Sequence, residues 1–209
     1  MNARPLVPFP SRSAALLAAT LAFATSAVAA TATVGQKAPD FALPDGKDTP
    51  RKLSDFAGKY VVLEWTNPDC PFVRKHYNSG NMPALQGEAA GKEVVWLAIN
   101  STNPQSSEYK TPPVMQAWLD SKQAKPKAVL FDRDGAAGHA YGAKTTPHMY
   151  VIDPKGTLVY MGAIDDKRST NPDDVKTAKN YVRAALDEAM AGKPVSIAST
   201  VSYGCSIKY

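Results

Sequence analysis

Two periods of apolar and polar positions run through this chain. YVVLEW (60–65) is a continuous β-branched and apolar run, too short for a helix, and predicts a buried strand. EVVWLAIN (93–100) and KAVLFD (127–132) predict two more. TTPHMYVID (145–153) and TLVYMGAI (157–164) predict a fourth and fifth, joined as a hairpin by the turn DPKG. Helical spacing begins at Pro71, and the first helix is expected to run towards Gly87, with proline at a position whose N–H has no helical partner. PPVMQAWLDSKQ (112–123) places Val114, Met115 and Trp118 at core spacing, and GAAGHAYGA (135–143) reads as a short helix. DDVKTAKNYVRAALDEAMAG (173–192) is the most amphipathic stretch, with Val175, Ala178, Val182, Ala185 and Met190 on one side and Gly192 past its end. The order β-α-β-α-β-α-β-β-α contains parallel crossovers and a terminal hairpin. It predicts an α/β fold with one central mixed sheet and helices on both faces.

The first thirty residues stand outside this pattern. Arg4 and Arg12 precede the apolar run AALLAATLAFA, and SAVAA supplies small residues for cleavage near Ala29 or Ala30. That is the pattern of a secretory signal peptide, so an exported, periplasmic protein is expected. No later stretch approaches the ~20 apolar residues of a membrane span. With 209 residues, 44% of them hydrophobic, the chain can bury one core. The expected division is a signal peptide at 1–30, one domain at 31–193 and an aperiodic tail at 194–209. The formal charge of +5 falls to +3 without Arg4 and Arg12, and aromatics are not interleaved with the basic residues. Nucleic acid is therefore not an expected partner. No cofactor is assigned.

Only two cysteines are present, Cys70 and Cys205. In an oxidising compartment an even count favours a disulfide, and a Cys70–Cys205 bridge would close a loop of about 135 residues, worth roughly 4–5 kcal/mol of chain entropy. Cys70 also stands where a buried strand ends and a helix begins. Helix N–H groups would there favour a thiolate, Arg74 lies one turn on to assist, and the adjacent Asp69 opposes it. A third alternative joins both cysteines with His76 or His148 in a soft copper or zinc site. Glu64 is the odd polar residue of its strand. It is either a proton-shuttling carboxyl with a raised pKa or the partner of a lysine at the sheet's end.

Several segments taken together resemble the thioredoxin-like superfamily, and within it the redoxin branch that includes the alkyl hydroperoxide reductase/thiol-specific antioxidant proteins. These are VGQKAPDFALPDGK, LSDFAGKYVVLEW, Cys70 at the strand-to-helix turn, TTP at 145–147 and GTLVYMGAIDD. NPDCPFVRKHY, the IDD of 164–166 and the closing GCSIKY are similar to an exported subgroup of that branch. The resemblance covers roughly residues 33–209. It implies a thioredoxin-like fold, a nucleophilic Cys70 and a cis Pro147 whose preceding residue, Thr146, presents its backbone to a substrate peptide or thiol. If the tail folds back onto the Cys70 helix, Cys205 can act as the resolving thiol. The substrate would be a protein or small-molecule thiol, disulfide or peroxide, with an unidentified reductant. Two departures limit this. Val73 replaces the second cysteine of a Cys-x-x-Cys pair. Asn67 and Leu63 stand where typical peroxiredoxins carry Thr/Ser and Pro, with Thr66 one position away as the available hydroxyl. A metal-binding or assembly module, and a non-catalytic domain stapled by its disulfide, are the alternatives.

Overall fold

The run Val61–Trp65 (β3) is buried along its whole length because it has a strand on either side and packed layers on both faces. In the computed structural model, which describes Met1 and residues 31–209, the central sheet has five strands in the order β5-β4-β3-β7-β8. The expected signal peptide and its cleavage site lie outside the described residues. Val95–Asn100 (β4) and Ala128–Phe131 (β5) extend the sheet in parallel on one side of β3. His148–Ile152 (β7) and Leu158–Gly162 (β8) complete it in antiparallel fashion on the other. A short hairpin, Ala42–Pro44 (β1) with Pro50–Lys52 (β2), precedes it.

Strand alternation sorts the core into two layers. Val62, Trp96, Ala98, Met149 and Val151 face a layer built from Pro71–Asn78 (α1), Asn81–Gly91 (α2), Pro112–Ser121 (α3) and Tyr181–Met190 (α5). Leu63, Trp65, Leu97, Ile99 and Tyr150 face the N-terminal hairpin and Ala136–Tyr141 (α4). The fold is thioredoxin-like. Among the described residues no helix is long and apolar enough to cross a membrane.

Four sequence expectations change. The helix expected from Pro71 towards Gly87 is two helices, parted at Gly80, whose φ is +75°. Pro83 explains the break: within one continuous helix it would remove an interior hydrogen bond and clash, whereas in the first turn of α2 its missing N–H costs nothing. The stretch 173–192 likewise divides into a 3-10 turn, Pro172–Lys176, and α5. The Asn180 side chain accepts the Arg183 N–H at 2.9 Å and starts α5 there, so Val175 and Ala178 lie outside it and Met190 is exposed. On α3 the buried residues are Met115 and Leu119; Val114 faces solvent. The strand expected at 145–153 is interrupted at Pro147, and Thr145–Thr146 (β6) leaves the central sheet.

β6 pairs instead with Cys205–Ser206 (β9) of the tail. The rest of the tail is docked as well. Thr200 N–H donates to Met161 O at 3.1 Å, and the Thr200 hydroxyl accepts from Ala163 N–H at 2.9 Å. Gly162 permits this approach: a Cβ there would lie 2.2 Å from Thr200 Oγ1.

Candidate active site

The turn between β3 and α1 is organised by Asn67. Its side-chain oxygen accepts the Asp69 N–H at 2.9 Å, its carbonyl accepts the Cys70 N–H at 3.1 Å, and its amide nitrogen donates to Thr102 Oγ1 at 3.1 Å. The residue that departs from the peroxiredoxin pattern is thus the one that shapes this loop, in the manner of an Asx turn. Cys70 caps α1, and its carbonyl accepts the Arg74 N–H at 2.9 Å. Unpaired N–H groups of the first helical turn lie beside it.

Cys70 is 2% exposed. Its thiol donates to Thr146 O at 2.9 Å, and its sulfur accepts the Cys205 N–H at 3.4 Å. The Thr146–Pro147 bond is cis. The antiparallel pairing of β6 and β9 sets Cys205 opposite Thr146 and Ser206 opposite Thr145. Cys70, Thr146, Pro147 and Cys205 therefore converge from three distant parts of the chain. Both cysteines are free thiols here, adjacent but not bonded. Burial, and then the neighbouring Cys70 sulfur, pushes the Cys205 thiol up to about 12.

The three supporting residues do not reach the sulfur. Arg74 donates from Nε to Pro68 O at 2.7 Å and from Nη2 to Asp69 at 3.2 Å, so it ties down the loop. Lys110, 41 residues along the chain from Asp69, holds the other Asp69 oxygen at 2.5 Å. Two cations thereby offset the negative charge that the sequence placed against a Cys70 thiolate. Thr66 Oγ1 is buried without a hydrogen-bond partner and does not donate to Cys70. Glu64 has no lysine partner. Its fully buried carboxyl accepts from Tyr77 OH at 2.7 Å, Trp96 Nε1 at 2.8 Å and Gln86 Nε2 at 3.4 Å.

Burial raises the Glu64 carboxyl above its ordinary 4.5, against the opposing hydrogen bonds of Trp96 and Tyr77. The folded protein then keeps a proton that the unfolded chain releases, so this group costs stability as pH rises from 4.5 towards its folded value. Glu64→Gln removes that dependence. The unfolding free energy of the wild type minus that of the variant is expected to fall with pH above 4.5 by up to ~1.4 kcal/mol per unit. Urea titrations at several pH values would show it, and a flat difference would contradict a buried neutral carboxyl.

The two histidines named as candidate ligands are buried and held neutral: burial lowers His76 to about 3 and His148 to about 4, with Lys75 and Lys144 adding to it. The His76 ring nitrogens face Asn81 Nδ2 at 2.9 Å and Tyr203 OH at 3.2 Å, and His148 Nδ1 faces the Lys144 N–H at 3.3 Å. Among the described residues no three His, Cys, Asp or Glu side chains converge as a metal ion would require.

A polar cluster beneath the cysteines escaped the sequence reading. Lys75 Nζ lies 3.6 Å from Asp165 Oδ2, with side chains 0% and 2% exposed, and donates to Lys167 O at 2.7 Å. Tyr203, two residues before Cys205, donates its hydroxyl to Asp165 Oδ1, and its ring packs edge-on against Phe72 at 5.8 Å. The tail is thus anchored to the helix that carries Cys70.

The sequence pattern described as the AhpC/TSA family matches residues 34–161. The chain belongs to the AhpC/TSA family. The thioredoxin-like protein YneN of Bacillus subtilis (strain 168) is 30% identical over 135 residues, which are 64% of this chain and 74% of that one. Among solved structures, an uncharacterised conserved protein from Geobacillus kaustophilus is 28% identical, with a TM-score of 0.73, covering 85% of this chain and 92% of its own. A Chlorobium tepidum protein provisionally described as the thiol:disulfide interchange protein DsbE is 30% identical, with a TM-score of 0.51, covering 63% of this chain and 85% of its own. The AhpC/TSA match includes Cys70, Thr146 and Pro147 and stops short of Cys205.

Proposed function

We propose that this AhpC/TSA-family protein is an exported thiol–disulfide oxidoreductase in which Cys70 is the nucleophile and Cys205 the resolving thiol. The observation that carries the reading is the seat of Cys205 on the edge of β6, with its N–H directed at Cys70 Sγ. The Cys70 thiolate attacks one sulfur of a disulfide RSSR, forming Cys70–S–S–R and releasing RS⁻. The Cys205 thiolate then attacks the Cys70 sulfur, the Cys70–Cys205 bond forms and a second RS⁻ leaves. The two thiol protons end on the two RSH, and an external reductant returns the pair to its dithiol form. The N-terminus of α1 and the Cys205 N–H stabilise negative charge on the Cys70 sulfur. Glu64 lies on the same face of β3 as the Cys70 layer, and burial raises its carboxyl above the ordinary carboxylate range. Export rests on the N-terminal sequence.

Disulfide exchange is favoured over peroxide reduction because neither candidate donor serves the sulfur: Thr66 Oγ1 is without a hydrogen-bond partner among the described residues, and Arg74 is committed to Pro68 and Asp69. Treating the reduced protein with glutathione disulfide is expected to remove two hydrogens from its mass and yield a tryptic fragment linking Cys70 to Cys205. Hydrogen peroxide is expected to act no faster than on free cysteine. A stable glutathione adduct with Cys205 left free would overturn the resolving role, and rapid stoichiometric oxidation by peroxide would favour the peroxidase reading.

A further inference from the structure

The strand edge beside Cys70 is already filled by the chain's own tail. Gly204 passes so close to Thr146 that a Cβ there would lie 2.0 Å from the Thr146 carbonyl oxygen, at a φ of +141°. Only glycine fits such an approach. On one side of Cys205 the segment is held by Tyr203 in the buried cluster with Asp165 and His76. On the other side Ile207 N–H donates to Lys144 O at 3.1 Å, and Asn103 N–H donates to Lys208 O at 2.6 Å. Tyr209 ends the strap: its ring stacks on His139 at 4.1 Å, and its hydroxyl donates to Ala143 O at 2.7 Å. The floor beneath it is glycine, since a Cβ at Gly138 would lie 2.3 Å from the Tyr209 hydroxyl. The tail is therefore seated by side chains, backbone pairing and two close glycine approaches, with a tyrosine on either side of Cys205.

From this we infer that the strapped site accepts small disulfides and excludes extended polypeptide ones. The inference deepens the thiol-exchange reading and rests on it. A polypeptide bearing a disulfide would need to lay its backbone along β6, and the side of β6 that faces Cys70 is paired with Cys205 and Ser206. To enter, it must lift residues 203–206, breaking the pairing with β6 and withdrawing the Tyr203 hydroxyl from Asp165. A small disulfide makes no such demand. It enters beside half-buried Cys205 and needs only enough room to bring one sulfur in line with Cys70 Sγ, which is 2% exposed. The strap that supplies the resolving thiol is by the same contacts the filter on what is reduced.

The test compares two disulfides on the purified, reduced protein: glutathione disulfide and a disulfide-linked dimer of an extended, unstructured peptide about eight residues long. The readout is the first thiol released, and the quantity of interest is the ratio of the two rates within each protein. Because two or more hydrogen bonds must break, wild type is expected to release the peptide thiol roughly tenfold or more slowly than glutathione. Gly204→Val forces a side chain against the Thr146 carbonyl and lifts the strap, and is expected to bring the ratio to within about threefold of unity. Tyr209→Ala, which removes the distal anchor and leaves the buried cluster untouched, is expected to move the ratio in the same direction and guards against a Gly204 variant that fails to fold. Equal rates in wild type, or a ratio unmoved in every folded variant, would overturn the inference while leaving thiol exchange standing. If wild type reacts with neither disulfide, the thiol-exchange reading falls, and this inference falls with it.

Discussion

Cys205→Ser is expected to turn the site into a trap. Under the proposed mechanism, attack by Cys70 on glutathione disulfide should proceed, one glutathione should leave per chain, and the protein should stop as a Cys70–glutathione mixed disulfide that wild type does not accumulate. Intact-mass measurement under acid quench separates the two products. Cys70→Ser is expected to do the reverse and nearly silence the protein. Burial, the largest single cause that raises the Cys205 thiol, remains when Cys70 is gone. At neutral pH a raised pKa lowers the thiolate fraction, and the greater nucleophilicity of the more basic sulfur restores only part of that loss. Cys205 alone should therefore react more slowly than an ordinary cysteine, with the rate of thiol release from glutathione disulfide as the measurement. Attack at the wild-type rate in Cys70→Ser would mean that Cys205 leads the reaction.

Asp165→Ala is expected to cost about 3–5 kcal/mol of folding stability, because it leaves Lys75 charged and buried without a counter-charge. Lys75 Nζ would retain the Lys167 carbonyl at 2.7 Å and no carboxylate, and the Tyr203 hydroxyl would lose its acceptor. Against a typical total of 5–15 kcal/mol this is a large fraction. Replacing both partners, as in Lys75→Met with Asp165→Leu, is expected to recover much of the loss, since neither charge is then stranded. Urea midpoints at constant slope measure both. A loss below about 1 kcal/mol for Asp165→Ala would show that the pair does not hold the tail and α1 together.

The central sheet was legible because its strands are continuous apolar runs bounded by turns, and such runs have one stable place, between two covered faces. The place of Cys70 was legible because a buried strand ends just before it and Pro71 opens a helix just after it. What the sequence concealed is long-range. Tyr203 meets Asp165, Lys110 meets Asp69 and Cys205 meets Thr146, each across a separation that leaves no period to read. A two-residue strand such as β9 carries no alternation, so the tail read as a loop although Ala198, Thr200, Tyr203 and the run Cys205–Tyr209 are each held. The broken helices were different. Gly80, Pro83 and Asn180 are local signals, outweighed in the reading by apolar spacing on either side. Arg74, Thr66 and Glu64 were picked out for closeness to Cys70 in sequence, and in space each bonds elsewhere or not at all.

The reduction potential of the Cys70–Cys205 pair tests the central claim most directly. It is measured by equilibrating the protein in glutathione buffers, trapping free thiols by alkylation and counting them by mass. A working redox pair predicts a value within roughly −120 to −270 mV. A value well below about −300 mV would make the bridge a structural staple, and would contradict the account of Cys70 as a nucleophile that turns over.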